Sequence, residues 1–465
     1  MRRALLLCAL VLAAAPAPAA AQSDDTNCLG ETDPASVQRR PGPALRFGIT
    51  PGVQTGQLGT GAVPPRTPED PVRHLDALGR LRAPGSPFVL RLHRFFWSEG
   101  EAGVQRFLAL ADHYTSAGYL VELQLRYHPS PQQEGDIAAW TAFVRDVVRR
   151  FGANPRVVAV QVTNEVNLTF SPDSSDGGYD RAREALVQGV IAAKDEARRR
   201  GYGGLGIGFN WAYRSDPGNE AAFWRSLRDL GGRPFVAALD WVGLDAYPGT
   251  LFPPVDTPGD EGDALVNAMS ALRCYLGVPG VPASVPIHIE ENGFPTGPGR
   301  SEERQVIAME SMIGVVDDLR GAFNVTDYRW FNLRDGDSTS ANFQTRYGLL
   351  RDDYSAKPAF ARYARFVRER GRRESLPAPA AAGGTPAAGG RPRARRLRLR
   401  LSARCRHGHR RVRVIGRDRR KVRRVVRVTW KRLAHGRRVV RARVRLRGGR
   451  VVVVRRTVRG TCRGR

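Results

Sequence analysis

Residues 156–163 read RVVAVQVT and run straight into Asn164-Glu165-Val166-Asn167. Residues 285–289 read VPIHI and run into Glu290-Glu291-Asn292-Gly293-Phe294-Pro295. Each is a short apolar run of strand length that stops at a carboxylate. Parallel strands covered on both faces read as continuous apolar runs. Six further runs share this texture, at 44–50, 88–93, 119–126, 205–210, 241–246 and 327–331. Amphipathic stretches such as 103–117, 137–151, 182–200 and 302–319 lie between the runs, with apolar positions three and four apart. Strands alternating with helices predict a parallel sheet with the helices outside. Eight such repeats over residues 44–373 predict an α/β fold, a (β/α)8 TIM barrel. The competing architecture is a doubly wound open sheet. It calls for a Gly-rich phosphate loop after the first strand, and Phe47-Gly48-Ile49-Thr50-Pro51-Gly52 is not one.

The chain begins as exported proteins do. Arg2 and Arg3 precede an apolar stretch over 4–15, and Ala19-Ala20-Ala21 forms a small-residue cleavage site. Residues 1–21 are therefore expected to be a signal peptide and 22–43 an N-terminal extension. The apolar stretch is too short to span a bilayer, and no later segment is long and apolar enough. A secreted or wall-associated protein without a transmembrane segment is expected. Cys8 leaves with the signal, and Cys28, Cys274, Cys405 and Cys462 remain, an even number suited to an oxidising compartment. The pairs Cys28–Cys274 and Cys405–Cys462 would keep each bridge within one domain.

The net charge of +29 is not spread evenly. Of 74 Lys and Arg, 32 lie in 391–465 beside one acid, Asp418, so that segment carries +31. The first 390 residues hold 42 basic and 44 acidic groups, or −2. Residues 374–394 are rich in Pro, Ala and Gly and read as a linker. Beyond it, 396–402, 411–415, 425–430 and 439–446 alternate apolar residues with Arg, which predicts half-buried antiparallel strands in a small basic β-module over 395–465. Such a charge suits nucleic acid, but a signal peptide argues against that partner. Wall polymers, acidic polysaccharide and anionic headgroups are the polyanions found outside a cell. An Arg-rich solvated face is the bland alternative.

Chemistry in a parallel barrel sits at the C-terminal ends of its strands. A carboxyl group on each of two strand ends is what hydrolysis of a glycosidic bond requires: one protonates the leaving oxygen, and the other attacks the sugar carbon or activates water. Around these residues the sequence resembles the clan A glycoside hydrolases. Asn164-Glu165 matches the fourth-strand motif of that clan. Glu291-Asn292-Gly293-Phe294-Pro295-Thr296 resembles the seventh-strand motif of the β-1,3-glucanases. Arg91-Leu92-His93-Arg94-Phe95-Phe96 is similar to the second-strand segment of the β-xylosidase and iduronidase relatives. Tyr247-Pro248, Trp330 and the stretch over 347–360 also fall where the clan places related residues. The likeness covers 44–370, with no one family matched throughout.

The resemblance implies a retaining enzyme with Glu165 as acid/base and Glu291 as nucleophile. Asn164 would bond the sugar 2-hydroxyl, Arg91 would keep Glu291 ionised, Tyr247 would orient it, and His93 would contact substrate. Trp330 and Trp211 would stack on sugar rings or simply pack in the core. Glu290 rivals Glu291, because neighbours on a strand face opposite ways, and Arg94 rivals Arg91. Asn-Glu can also be a plain helix cap. Asp245 reads as structural. No cofactor is expected. No metal is expected either: the histidines form no HExxH motif, and Cys405-Arg406-His407-Gly408-His409 suits a disulfide better than an ion site. A silent carbohydrate-binding barrel, or a barrel that merely carries a functional tail, is the rival from another class.

Overall fold

The computed structural model describes residues 27–53, 64–170, 173–373, 400–406, 409–415, 422–432, 437–446 and 451–459. Two compact units divide the chain, 1–382 and 383–465. The predicted signal peptide lies outside the described residues, as does the linker over 374–394.

In the first unit eight parallel strands close into a barrel in sequence order. They are β1 (Arg46–Ile49), β2 (Val89–Phe96), β3 (Leu120–Arg126), β4 (Val157–Val162), β5 (Gly206–Ala212), β6 (Trp241–Asp245), β7 (Ile287–Asn292) and β8 (Val325–Trp330). The eight helices are α1 (Pro71–Leu81), α2 (Gly100–Ser116), α3 (Ile137–Phe151), α4 (Ala182–Arg200), α5 (Pro217–Ala238), α6 (Glu261–Leu276), α7 (Glu302–Phe323) and α8 (Pro358–Arg370). Helix starts are encoded locally. Asp70, Asp136, Asp216 and Ser301 each accept a backbone N–H of the first turn, and Pro71 and Pro217 open α1 and α5. A disulfide joins Cys28 to Cys274 on α6, as expected.

The strands are not apolar on both faces. One set of alternate residues, including Leu90, Leu92, Val121, Leu123, Ile287, Ile289 and Tyr328, joins the apolar core with residues of the helices, such as Val144, Leu186, Met309 and Tyr363. The other set touches across the barrel. Arg91 on β2 reaches Gln161 on β4 and Glu290 and Glu291 on β7, while Arg329 on β8 reaches Glu122 on β3. Contacts between non-adjacent strands place these side chains in the barrel interior. His288, Asp327 and Arg46 extend the same buried network. Small residues make room for it: a Cβ on Gly243 would meet Glu290 Cγ at 2.8 Å, and one on Gly48 would meet Arg329 Cδ at 2.7 Å. The continuous-apolar expectation fails because long polar side chains fill the centre, where only the outer layer needs to be greasy.

In the second unit, β9 (Arg400–Arg406) pairs antiparallel with β10 (His409–Ile415). Strands β11 (Val422–Arg432), β12 (Arg437–Leu446) and β13 (Val451–Arg459) pair antiparallel as a second sheet. The fifth strand was not anticipated, because its opening Val451-Val452-Val453-Val454 lacks the Arg alternation of the others. The predicted Cys405–Cys462 bridge cannot be placed, since Cys462 lies outside the described residues. Among the described residues, no helix is long and apolar enough to cross a membrane.

The Cys28–Cys274 bridge closes a loop with a sequence separation of 246 residues. Restricting so long a loop in the unfolded chain contributes about 2–5 kcal/mol. The double variant Cys28→Ser/Cys274→Ser is expected to lose that much, read as a lower denaturant midpoint for the barrel.

Candidate active site

The C-terminal ends of the strands open into a cavity of about 320 Å³, at the small end of the roughly 300–1,000 Å³ usual for ligand pockets. Glu165, Asp245 and Glu291 line it, with His93, Arg94, Asn164, Tyr247 and Phe331 among the other wall residues. Each of the three acids places a carboxylate oxygen within 4.8 Å of the other two.

Glu291 is held on both oxygens. Arg91 Nη1 donates to Oε1 at 2.8 Å, and the Tyr247 hydroxyl donates to Oε2 at 2.7 Å. Arg91 is fully buried. Burial opposes its charge, but Glu291, Asp245, Glu290 and Glu122 outweigh that and raise the guanidinium above its ordinary pKa. Glu290 also turns inward, to Arg91 Nε at 3.3 Å and His288 Nδ1 at 3.2 Å. Consecutive residues share the interior because the β7 register shifts between Ile289 and Asn292, a bulge that breaks strict alternation. Glu290 lies in the interior at zero exposure, whereas Glu291 lines the cavity. Arg94 lies on the cavity wall and donates to the Asp173 carbonyl at 3.1 Å, leaving the Glu291 contact to Arg91.

Glu165 sits on a tight turn after β4. Thr163 and Glu165 both adopt left-handed backbone conformations, with φ of 64° and 47°. A β-branched residue seldom does so, and surrounding bonds hold it there. Gln161 Nε2 donates to the Thr163 carbonyl at 2.7 Å, and the Glu165 N–H donates to Asn210 Oδ1 at 2.9 Å. Buried Asp176 accepts from Asn164 N and Tyr127 N, each at 2.9 Å, and from Arg126 Nε at 2.7 Å. Asn164 Oδ1 accepts from Gln124 at 2.7 Å and Asn210 at 2.8 Å, while its Nδ2 donates to the Ser174 carbonyl at 2.6 Å. Burial first, then the charge of Glu291, pushes the Glu165 carboxyl up to about 8.

Two expected sugar platforms face the wrong way. Trp211 and Trp330 are fully buried, and neither lines the cavity. Each follows an inward residue, Asn210 or Arg329, so alternation turns it outward to the helices. Trp211 packs on Trp224 and Tyr275, and its indole N–H donates to Glu220. Trp330 packs on Tyr363 of α8. Phe331, one residue on, takes the wall position beside Tyr247 and Tyr347 and meets the His93 ring edge-on. Asp245, expected to be structural, stands among the cavity acids. The rule that singled out Glu165 and Glu291, a carboxyl at a strand end, also finds it. Gln161, Asn210 and Asp176 carry no comparable signal. At the mouth, Arg214 lies over the rings of Phe170 and Phe252.

The three cavity acids could surround a cation by number of donors, as could Glu122, His288 and Glu290 below them. Arg91 already brings positive charge to both groups, within 3.7 Å of Glu122 and closer to Glu290 and Glu291.

No protein-family model matches the sequence, and no curated protein matches it. Solved structures do resemble it. A β-glucosidase from Exiguobacterium antarcticum is 13% identical, with 71% of this chain and 98% of that one covered, at a TM-score of 0.47. A β-glucosidase from Thermotoga maritima is 15% identical over 72% and 100% of the two chains, at 0.48. A β-1,3-glucanosyltransferase from Rhizomucor miehei is 17% identical over 67% and 95%, at 0.41. These are likenesses of fold.

Tyr247→Phe removes one donor to a charged carboxylate, a contact of about 1.5–3 kcal/mol. It is expected to lower turnover roughly 10- to 100-fold and to leave the unfolding midpoint nearly unchanged. Arg91→Met strands several buried carboxylates and is expected to cost about 3–5 kcal/mol of stability. Denaturation and turnover measured side by side separate the two effects.

Proposed function

We propose that this chain is a retaining glycoside hydrolase acting on β-linked sugars in an oligosaccharide or polysaccharide. The observation that carries the proposal is the pairing of Glu291, held by Arg91 and Tyr247, with a raised Glu165 carboxyl whose oxygen lies within 4.8 Å. Retaining enzymes hold their two carboxyl groups about 5–5.5 Å apart, inverting ones roughly 6.5–9.5 Å. A closest approach within 4.8 Å falls on the retaining side of this division and suits direct attack by one carboxylate.

In this mechanism Glu291 attacks the anomeric carbon while Glu165 gives its proton to the leaving oxygen. A covalent glycosyl-enzyme forms. Glu165, now ionised, takes a proton from water as the water oxygen bonds to the anomeric carbon, and Glu291 leaves as a free carboxylate. One carboxyl must be protonated and the other charged at the same pH, and unlike surroundings supply the difference. Glu165 sits on a buried turn and forms no ion pair among the described residues, and Glu291 sits on Arg91. Asn164 and His93 would face the sugar, and Phe331 rather than either tryptophan would lie against it. A silent binding barrel has no use for this division between the two carboxyls.

Glu291→Ala is expected to abolish turnover on aryl β-glycosides without unfolding the barrel. Glu165→Ala is expected to lose about 10²- to 10⁴-fold on substrates with poor leaving groups while sparing those whose leaving group needs no proton. Loss of turnover in Glu290→Ala with Glu291→Ala active would reverse the seventh-strand assignment. The proton on Glu165 is present below about pH 8 and lost above it, so activity is expected to fall on the alkaline side of that value.

We further propose that the protein is exported and that residues 395–465 retain it on polyanionic wall polymer or acidic polysaccharide. The charge split, +31 against −2, supports this. Binding through several counter-ion releases weakens by orders of magnitude over roughly a fourfold rise in salt. Co-sedimentation with an anionic polymer at two salt concentrations is expected to show that behaviour for the whole chain and almost no binding for residues 22–373. Equal binding by both, or indifference to salt, removes the retention role.

A further inference from the structure

Asp245 closes β6 and is almost fully buried, yet it lines the same cavity as Glu165 and Glu291. Its Oδ2 accepts from Asn210 Nδ2. Its Oδ1 is buried, and no donor among the described residues reaches it. An ionised carboxylate can only accept, and leaving one of its oxygens buried and unpaired is costly. The acids around it are Glu165 and Glu291. Both oxygens of Glu291 are already taken by Arg91 and Tyr247. Glu165 offers a carboxylate oxygen within 4.8 Å of one on Asp245. Two carboxyl groups can bond only if one of them carries a proton.

Resting on the reading of Glu165 as acid/base, we infer that Glu165 and Asp245 hold one proton between them, and that Asp245 is the positioning residue that keeps this proton at the leaving-group side of the site. Asn210 aligns the pair. Its Nδ2 donates to Asp245, and its Oδ1 accepts from the Glu165 backbone N–H at 2.9 Å.

The charges around the pair act in both directions. Glu291 and Glu290 on β7 oppose its ionisation, while Arg91 on β2 and Arg126 on β3 favour it. Arg214 after β5 feels the Glu165 charge, and Tyr247 after β6 that of Asp245. Burial is the largest influence on each member and raises both, and the charge of Glu291 comes next. Two acids so coupled release their protons as a unit.

The pair leaves the charge balance of turnover intact. Before reaction Glu291 carries −1 and the pair, with one proton, −1. When Glu291 bonds to the sugar carbon, its charge disappears into the ester. The pair's proton passes through Glu165 to the departing oxygen, which leaves as an alcohol, and the pair then carries −2. The cluster's total is unchanged, so the buried site need not change its net charge across that step. Deprotonation of water returns one proton to the pair, and hydrolysis of the ester restores Glu291.

The test is the pH dependence of kcat/KM for full-length Asp245→Asn, on an alkyl β-glycoside and on a nitrophenyl β-glycoside. The amide oxygen still accepts from Asn210, but its NH2 donates to Glu165 and stabilises the ionised form. The alkaline limb on the alkyl substrate is expected to move at least one pH unit downward. At neutral pH that substrate is expected to lose at least tenfold more activity than the nitrophenyl one. A limb that stays in place, with equal losses on both substrates, overturns the inference. If Asp245→Asn does not fold, infrared titration of the wild-type protein decides the matter. A protonated-carboxyl band near neutral pH that disappears in Glu165→Gln and moves in Asp245→Glu supports a shared proton, and a band unmoved in Asp245→Glu, or absent from the wild type, refutes one. Should Glu165→Ala lose both substrates equally, the acid/base reading fails instead, which separates the two conclusions.

Discussion

A single guanidinium organises the working end of this barrel. Arg91 is wholly buried, and its nitrogens reach Glu291 and Gln161 by hydrogen bonds and Glu290 and Glu122 by charge. A lone buried cation is prohibitively costly, and so is a cluster of buried carboxylates. Each is tolerable here only because of the other. The side chain crosses from the second strand to the seventh, so the position of Glu291 is tied to a strand on the far side of the barrel.

The same dependence extends downward and outward. Below Arg91, the Glu122, Arg329, Asp327 and His288 side chains continue a buried polar network to Arg46. Burial lowers His288 to about 4, so its imidazole is neutral at physiological pH and can donate its single N–H to only one of the two acids flanking it, Glu290 at 3.2 Å and Asp327 at 3.3 Å. Beside the cavity, Arg126 and Asp176 do for the Glu165 turn what Arg91 does for Glu291. One glutamate is thus placed by a direct ion pair. The other is placed by its backbone, and among the described residues its carboxyl forms no ion pair. That difference gives the two acids unlike surroundings.

Much of this was legible in the chain. The eight strands and the helices at 137–151 and 182–200 followed from apolar periodicity, Glu165 and Glu291 stood out at strand ends, and Arg91 and Tyr247 rested on the family resemblance alone. Trp211 and Trp330 were misplaced because an aromatic at a strand end looks the same whichever face it occupies. Only the parity set by Asn210 and Arg329 turns them outward. Asp245 reads as structural in the chain because Glu165 and Glu291 gather around it only in the fold. Asn210, Gln161 and Asp176 matter solely as partners, and a partner 45 positions away in sequence, as Asn210 is from Glu165, leaves no local mark.

Local sequence by itself determined the repeating strand-helix pattern, the helix starts, the carboxyl groups at strand ends and the separation of a near-neutral barrel from a strongly basic tail. These depend on neighbours in the chain: side-chain periodicity, capping side chains and composition. Tertiary structure alone decided which of two adjacent glutamates reaches the cavity, which aromatic lines it and which acid faces Glu165. Those outcomes depend on strand register, on one bulge in β7 and on contacts across the barrel, where atoms far apart in sequence compete for the same few hydrogen bonds.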